Sequence, residues 1–96
     1  MRTPAGLQKS GKALWRKITA EFELEDSPDK AELLYQACRV ADQIAELDDA
    51  AAEAPLMVKG SMGQPVISPF ISEARAQRSL LAQLLARMNF ADPEED

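Results

Sequence analysis

The chain has 96 residues, a net charge of −5 and only 5% aromatic residues, so it forms one domain at most, with a thin core. No run of 18 apolar residues occurs, which excludes a membrane-spanning helix, and no apolar segment follows the basic N-terminal residues, so we expect no secretory signal. The single cysteine, Cys38, cannot form an internal disulfide, which suits a reducing compartment.

Charge is segregated along the sequence. Residues 1–20 carry five basic residues and no acid, whereas residues 21–53 carry eleven acids against two basic residues. The acidic average therefore conceals a basic N-terminal segment and an acidic middle, which present opposite fields to a partner.

The N-terminal residues 1–10 are predicted to form a flexible basic arm. A short first helix is predicted over residues 11–22, with Ser10 as its N-cap. Its apolar positions recur at helical spacing: Leu14, Trp15, Ile18 and Phe22.

A long second helix is predicted over residues 28–54. Ser27 is the expected N-cap, and Pro28 occupies the first helical position, where its missing N–H costs nothing. One apolar stripe consists of Leu33, Ala37, Val40, Ile44 and Leu47. A second stripe beside it consists of Leu34, Cys38, Ala41 and Ala45. An apolar face of this width suits a helix with two sets of neighbours.

A small β-hairpin is predicted over residues 56–67. Its strands, Leu56–Lys59 and Gln64–Ile67, flank a four-residue loop bounded by Gly60 and Gly63. Pro65 has no N–H to donate, so its strand lies at a sheet edge or begins there.

A long third helix is predicted over residues 69–89, where Ser68 and Pro69 repeat the cap of the second helix. The fold class is therefore mainly α, with a short helix, two long antiparallel helices and a hairpin between them. Residues 11–90 form a single helical oligomerisation domain, and residues 91–96 form an acidic tail.

The usual catalytic and metal-binding patterns are missing. The chain has no histidine, which excludes His-based triads and His/Cys metal sites, and it has no glycine-rich phosphate loop. Asp48 and Asp49 are adjacent on a helix and point in different directions, so a solvated face is expected there rather than a cation site. Cys38 lies in an apolar stripe and is expected to be buried rather than reactive. We expect no enzyme activity, no cofactor and no metal.

Two groups of residues are candidates for binding. The basic group, expected to contact DNA phosphates in a salt-dependent and largely sequence-independent way, consists of Arg2, Lys9, Lys12, Arg16 and Lys17. An ordinary solvated face is the alternative.

The residues expected to form an oligomer interface are Leu33, Ala37, Val40, Ile44, Leu47, Met57, Val58, Val66, Phe70, Leu81 and Leu84. The hairpin either pairs with another copy through its edges or caps the helical pair. Arg75 and Arg78 face either the acidic second helix or a neighbouring subunit. The tail is either solvated or docks on a partner.

The order of these parts resembles the small subunit of tailed-bacteriophage terminases. The matching stretches cover about residues 7–90, and they are Gly11-Lys12-Ala13-Leu14-Trp15, Leu33-Leu34, Ala37-Cys38-Arg39, Ala41-Asp42, Gly60, Gly63, Gln64-Pro65, Ser68-Pro69 and Glu73-Ala74-Arg75.

The resemblance implies a helical, non-catalytic subunit that assembles into a ring in the host cytoplasm. Such a ring binds double-stranded viral DNA and works with the terminase large subunit, which carries the ATPase and the nuclease. Many relatives carry an N-terminal helix-turn-helix, but the segment before the first helix is too short for one here. We therefore expect contact with the DNA backbone. The alternative is an oligomeric structural or regulatory protein-interaction module that does not bind nucleic acid.

Overall fold

The computed structural model describes residues 1–89. The elements follow in the order α1 (Lys9–Glu21), α2 (Pro28–Glu53), β1 (Met57–Lys59), β2 (Pro65–Ile67) and α3 (Pro69–Arg87). The predicted fold class is confirmed: a short helix is followed by two long helices with an antiparallel hairpin between them. Phe90 and the predicted acidic tail lie outside the described residues.

The N-termini of α2 and α3 begin at the two predicted Ser-Pro pairs. Ser68 is buried, and its hydroxyl oxygen accepts a hydrogen bond from the backbone N–H of Phe70 at 3.3 Å. Ser27 occupies the N-cap position of α2, but its side chain makes no capping hydrogen bond. Proline at the first helical position therefore marks both helix starts, while only one serine caps through its side chain.

The N-terminus of α1 differs from the prediction. The helix begins at Lys9, two residues earlier than expected, and Gln8 rather than Ser10 is its N-cap residue. Ser10 lies inside the first turn, so the prediction that it caps the helix is wrong. Gln8 makes no side-chain capping bond of its own, so the N–H groups of the first turn need hydrogen-bond acceptors from elsewhere in the chain.

Those acceptors come from Asp42, which lies on α2 and is 7% exposed. Its Oδ2 accepts a hydrogen bond from the backbone N–H of Gln8 at 2.8 Å, and its Oδ1 accepts one from the N–H of Gly11 at 2.6 Å. The carboxylate also lies at the positive end of the α1 dipole. A residue more than thirty positions away thus performs the capping that sequence analysis assigned to Ser10.

Gly11 permits this close approach of α1 to α2. A Cβ atom at this position would lie 2.5 Å from Asp42 Oδ2 and 2.7 Å from the Cys38 carbonyl oxygen. Both distances are shorter than ordinary van der Waals contact, so only glycine fits without displacing one helix from the other.

The main core lies where α1, the N-terminal half of α2 and the C-terminal end of α3 meet. Its buried side chains are Leu7, Trp15, Leu24, Leu34, Ala37, Cys38 and Met88. Leu7 is 5% exposed, so the folded part begins before α1. The predicted flexible arm over residues 1–10 is therefore wrong for its last four residues, because Leu7 joins the core and Gln8 bonds to Asp42.

The opposite end of the molecule is thin. The chain measures 53 × 32 × 17 Å with a radius of gyration of 16.7 Å, against about 12–13 Å for a compact chain of this length. At this end α2 and α3 run side by side, and the hairpin extends beyond them with few helix contacts. A two-stranded hairpin is marginal in water without further support.

Replacement of Asp42 by alanine removes two charge-assisted hydrogen bonds from the α1 N-terminus. We expect the free energy of unfolding to fall by about 3 kcal/mol, measured by urea denaturation. Ser10→Ala is the matched control and should change it by less than about 0.5 kcal/mol. Equal losses in the two variants would contradict the assignment of Asp42 as the cap.

Replacement of Gly11 by alanine forces a methyl group against the Asp42 carboxylate and the α2 backbone. We expect a loss of about 1–3 kcal/mol in the free energy of unfolding, although alanine ordinarily favours a helix. The control is Ala20→Gly, at an exposed position of the same helix. This variant should also lower the free energy of unfolding, because the helix loses a methyl group there. A methyl group therefore stabilises the helix at position 20 and destabilises it at position 11. Stabilisation by Gly11→Ala would show that the helices are not held in contact here.

Candidate nucleic-acid interface and assembly surface

The basic residues of α1 lie on its outer face. Lys9, Lys12, Arg16 and Lys17 are all exposed, while Gly11 and Trp15 on the opposite face are buried. The packing of α1 on α2 therefore directs the cationic side chains away from the core. Arg2 is exposed as well, in the segment that precedes α1.

The charges on this face have no direct ion-pair partner within residues 1–89, where the single salt bridge joins Arg78 on α3 to Asp48 on α2 at 2.5 Å. An exposed cation without a partner remains available to a phosphate group, since no bridge must be broken first. Lys12 and Arg16 are one turn apart on this face.

Lys9 differs from the other members of the basic group. It lines a cavity of about 440 Å³ at the α1–α2 junction together with Asp42, Glu46 and Asp49. These carboxylates offset its positive field. The structure therefore distinguishes Lys9, which borders these carboxylates, from Lys12 and Arg16, which do not line this cavity.

Arg75 and Arg78 on α3 were each expected to face either the acidic second helix or a neighbouring subunit, and the structure decides between these for Arg78. Arg78 pairs with Asp48 within the same chain, which confirms that it faces the acidic second helix. Both side chains are about half exposed, so the pair contributes little to stability. Arg75 is exposed and has no ion-pair partner in the described part of the chain.

The residues predicted to form an oligomer interface divide into three groups. Ala37, Val40 and Ile44 are buried within the chain itself, because α1 and α3 both pack against α2, so the folded protein does not offer them to a second copy. A second group is half-buried: Leu33, Leu47, Val58, Val66, Leu81 and Leu84. Met57 and Phe70 are exposed and are available for contact.

Met57 and Phe70 belong to a group of large apolar side chains that are exposed in and beside the hairpin, at the thin end of the molecule. This hairpin patch consists of Leu56, Met57, Met62, Ile67 and Phe70. Met62 is 90% exposed and Leu56 is 64% exposed. Leu56, Met62 and Ile67 were not among the predicted contact residues, although three large apolar side chains in and beside a short hairpin are a signal of an interface.

A cavity that sequence analysis did not predict lies beside the N-terminal segment. It measures about 460 Å³ and is lined by Trp15, Leu24, Tyr35 and other side chains, with Glu25 and Glu32 contributing carboxylates. Trp15 is 3% exposed, and its Nε1 has no hydrogen-bond partner. The cavity is mainly apolar with an acidic component, which is unsuited to phosphate binding.

Cys38 is fully buried in the core. Burial, and to a lesser extent the nearby Asp42 carboxylate, raises the pKa of the Cys38 thiol to about 12. Nucleophilic attack by cysteine requires the thiolate, so Cys38 is a packing residue, as its place in an apolar stripe predicts.

Within residues 1–89, Cys, Asp and Glu side chains form no group of three or more that could hold a metal ion. No helix in this part of the chain is long and apolar enough to cross a membrane.

The raised pKa of Cys38 predicts slow labelling by a thiol reagent. At pH 8 the folded protein should react at least about a hundredfold more slowly than the chain unfolded in guanidinium chloride, measured by release of thionitrobenzoate.

The same shift predicts a pH dependence of stability. Above about pH 8.5 the Cys38 thiol ionises in the unfolded chain while it keeps its proton in the folded chain, so the stability contributed by this group is lost as the pH rises towards 12. Cys38→Ala should therefore flatten the decline of stability with pH over this range; an unchanged slope would contradict the shift.

No protein-family model, curated protein or solved structure matches the chain significantly.

Proposed function

We propose that this chain is a non-catalytic DNA-packaging adaptor of the terminase small-subunit kind. The observation that carries the proposal is the outer face of α1, where Lys12, Arg16 and Lys17 are exposed and unpaired among the described residues. The opposite face of the same helix is fixed in the core through Gly11 and Trp15. The charges thus stand on a rigid element, as a phosphate-binding surface requires.

The basic group of one copy is too small for tight binding alone. Each phosphate contact adds a salt-dependent increment, and three to five cations per chain give weak, sequence-independent affinity. Linking several copies makes the later contacts intramolecular and raises the overall affinity. The exposed hairpin patch supplies an apolar surface for such self-association, and the proposed assembly is a ring.

The rest of the chain fixes how the proposed adaptor is oriented on DNA. The net charge is −5, and the acids concentrated on α2 repel a duplex. Binding therefore requires α1 to face the DNA while the acidic helix faces away. In the proposed function a large subunit supplies the ATPase and the nuclease, and the acidic surface remains available to that partner.

A second candidate is an oligomeric interaction module that does not bind nucleic acid. It is favoured by Glu46 and Asp49, which lie beside Lys9 and reduce the field at one end of the basic face. In this function the hairpin patch would still mediate self-association, while the α2 carboxylates would be the surface that partners contact.

Charge reversal of Lys12 and Arg16 should weaken binding to a mixed-sequence DNA duplex by at least about tenfold at low salt, because two phosphate contacts become repulsive. Fluorescence anisotropy across a salt series would measure the change, and the slope of log affinity against log salt should fall by about 2.

The matched control reverses Arg75 and Arg87, two exposed cations on α3, with the same change in net charge. It should alter the affinity much less. Equal losses in the two double variants would show that net charge alone governs binding. A chain that self-associates but binds no duplex at low salt would exclude the DNA-packaging proposal and favour the interaction module.

A further inference from the structure

The two edges of the hairpin differ in their capacity to pair with another strand. The register aligns Met57 with Ile67, Val58 with Val66 and Lys59 with Pro65. Beyond the strands, Ser68 donates its N–H to the Leu56 carbonyl, and Gly60 donates its N–H to the Gln64 carbonyl.

These two bonds fix the direction of every backbone group in the hairpin. Hydrogen-bonded pairs alternate along an antiparallel ladder, so the bonds at both ends place Val58 and Val66 as the bonded pair between them. The N–H and C=O groups of Met57 and Lys59 must then point out of the outer edge of β1. Among residues 1–89 no hydrogen bond reaches those groups.

The outer edge of β2 is less complete. Pro65 has no N–H, so the only outward donor of β2 is Ile67. A proline at an edge position is a device that weakens pairing with further strands. The β1 edge therefore retains a full set of donors and acceptors, whereas the β2 edge lacks one of its two donors.

We propose that β1 pairs antiparallel with β1 of a second copy across a two-fold axis through Val58, which joins two hairpins into a four-stranded sheet. In this register Met57 of each copy lies opposite Lys59 of the other, and both are hydrogen-bonding positions, so the pairing forms about four hydrogen bonds. The strand is complementary to itself, as a two-fold interface requires.

Two further observations favour a second copy as the occupant of this edge. The hairpin has few contacts with its own helices, and sheets of three or more strands are stable where an isolated hairpin is marginal. Met57 is exposed, and in this register the two Met57 side chains are diagonal neighbours on one face of the sheet, within reach of each other, so their contact removes apolar surface from water.

The inference deepens the self-association in the proposed function, and it does not depend on DNA binding. A two-fold contact closes on itself. Closure of a ring then requires a second contact elsewhere on the chain, and the β1 pairing joins two copies within or between rings.

Cysteine cross-linking tests the register directly. In the proposed sheet the two Val58 residues form a non-hydrogen-bonded pair with Cβ atoms about 4.5–5.5 Å apart, close to the range of a disulfide. Val58→Cys should therefore give covalent dimers under mild oxidation, seen on a non-reducing gel. The unmodified chain is the background control, because its only cysteine is buried.

Val66→Cys is the matched control. Val66 is the hairpin partner of Val58 and is also half-buried, but in the proposed sheet the two copies of residue 66 lie three strand spacings apart, roughly 14 Å. It should not cross-link. Cross-linking of both variants, of neither, or of Val66→Cys alone would overturn the inference.

Proline variants give an independent measurement should a cysteine variant fold poorly. Met57→Pro removes an outward donor of β1, and Ile67→Pro removes the outward donor of β2 at the partner position. Met57→Pro should raise the dimer dissociation constant by about tenfold or more, because two intermolecular bonds are lost per dimer, while Ile67→Pro should leave it nearly unchanged in analytical ultracentrifugation. Equal effects would exclude β1–β1 pairing, and DNA binding measured on the same variants would show separately whether the proposed function holds.

Discussion

The carboxylate of Asp42 at the N-terminus of α1 is the interaction on which the rest of the structure depends. It accepts the N–H groups of Gln8 and Gly11, and in doing so it fixes both the rotation and the axial position of α1 against α2. The missing side chain of Gly11 allows the two backbones to meet at this point. Once α1 is placed in this way, Trp15 must enter the core one turn further along, and the basic residues on the other side of the helix must face outwards.

The molecule is consequently divided into a well-packed end and a thin end. Three helices enclose the core around Leu34 and Met88, whereas at the other end two helices and a hairpin leave large apolar side chains in solvent. Buried contacts are therefore concentrated at the end that carries the basic face, while the end that carries the hairpin patch has fewer of them. In the proposed function, this separation would keep the DNA-contacting residues apart from the residues that contact another copy.

The packing of α1 on α2 also changes how the segregated charges are presented to a partner. The basic N-terminal segment and the acidic middle of the sequence become adjacent helices, so their fields partly cancel where Lys9 meets Glu46 and Asp49. The exposed cations of α1 that have no ion-pair partner among residues 1–89 and do not line the cavity at the α1–α2 junction are Lys12, Arg16 and Lys17. A partner therefore encounters a charged face much smaller than the five basic residues in the sequence imply, and the effect of that face depends strongly on ionic strength.

The sequence by itself determined the helices and the hairpin, because these depend on neighbours within one or two turns. Apolar spacing identified α2 and α3, and the Ser-Pro pairs located their starts. Gly60 and Gly63 marked the turn of the hairpin. It did not determine the cap of α1, because Ser10 and Asp42 are equally acceptable acceptors until the helices are packed. It assigned the wide apolar face of α2 partly to other copies, whereas the tertiary structure uses that width for α1 and α3 of the same chain. Which apolar residues remain exposed, and which strand edge remains unpaired, depended on contacts between residues distant in sequence, and only the folded arrangement decided them.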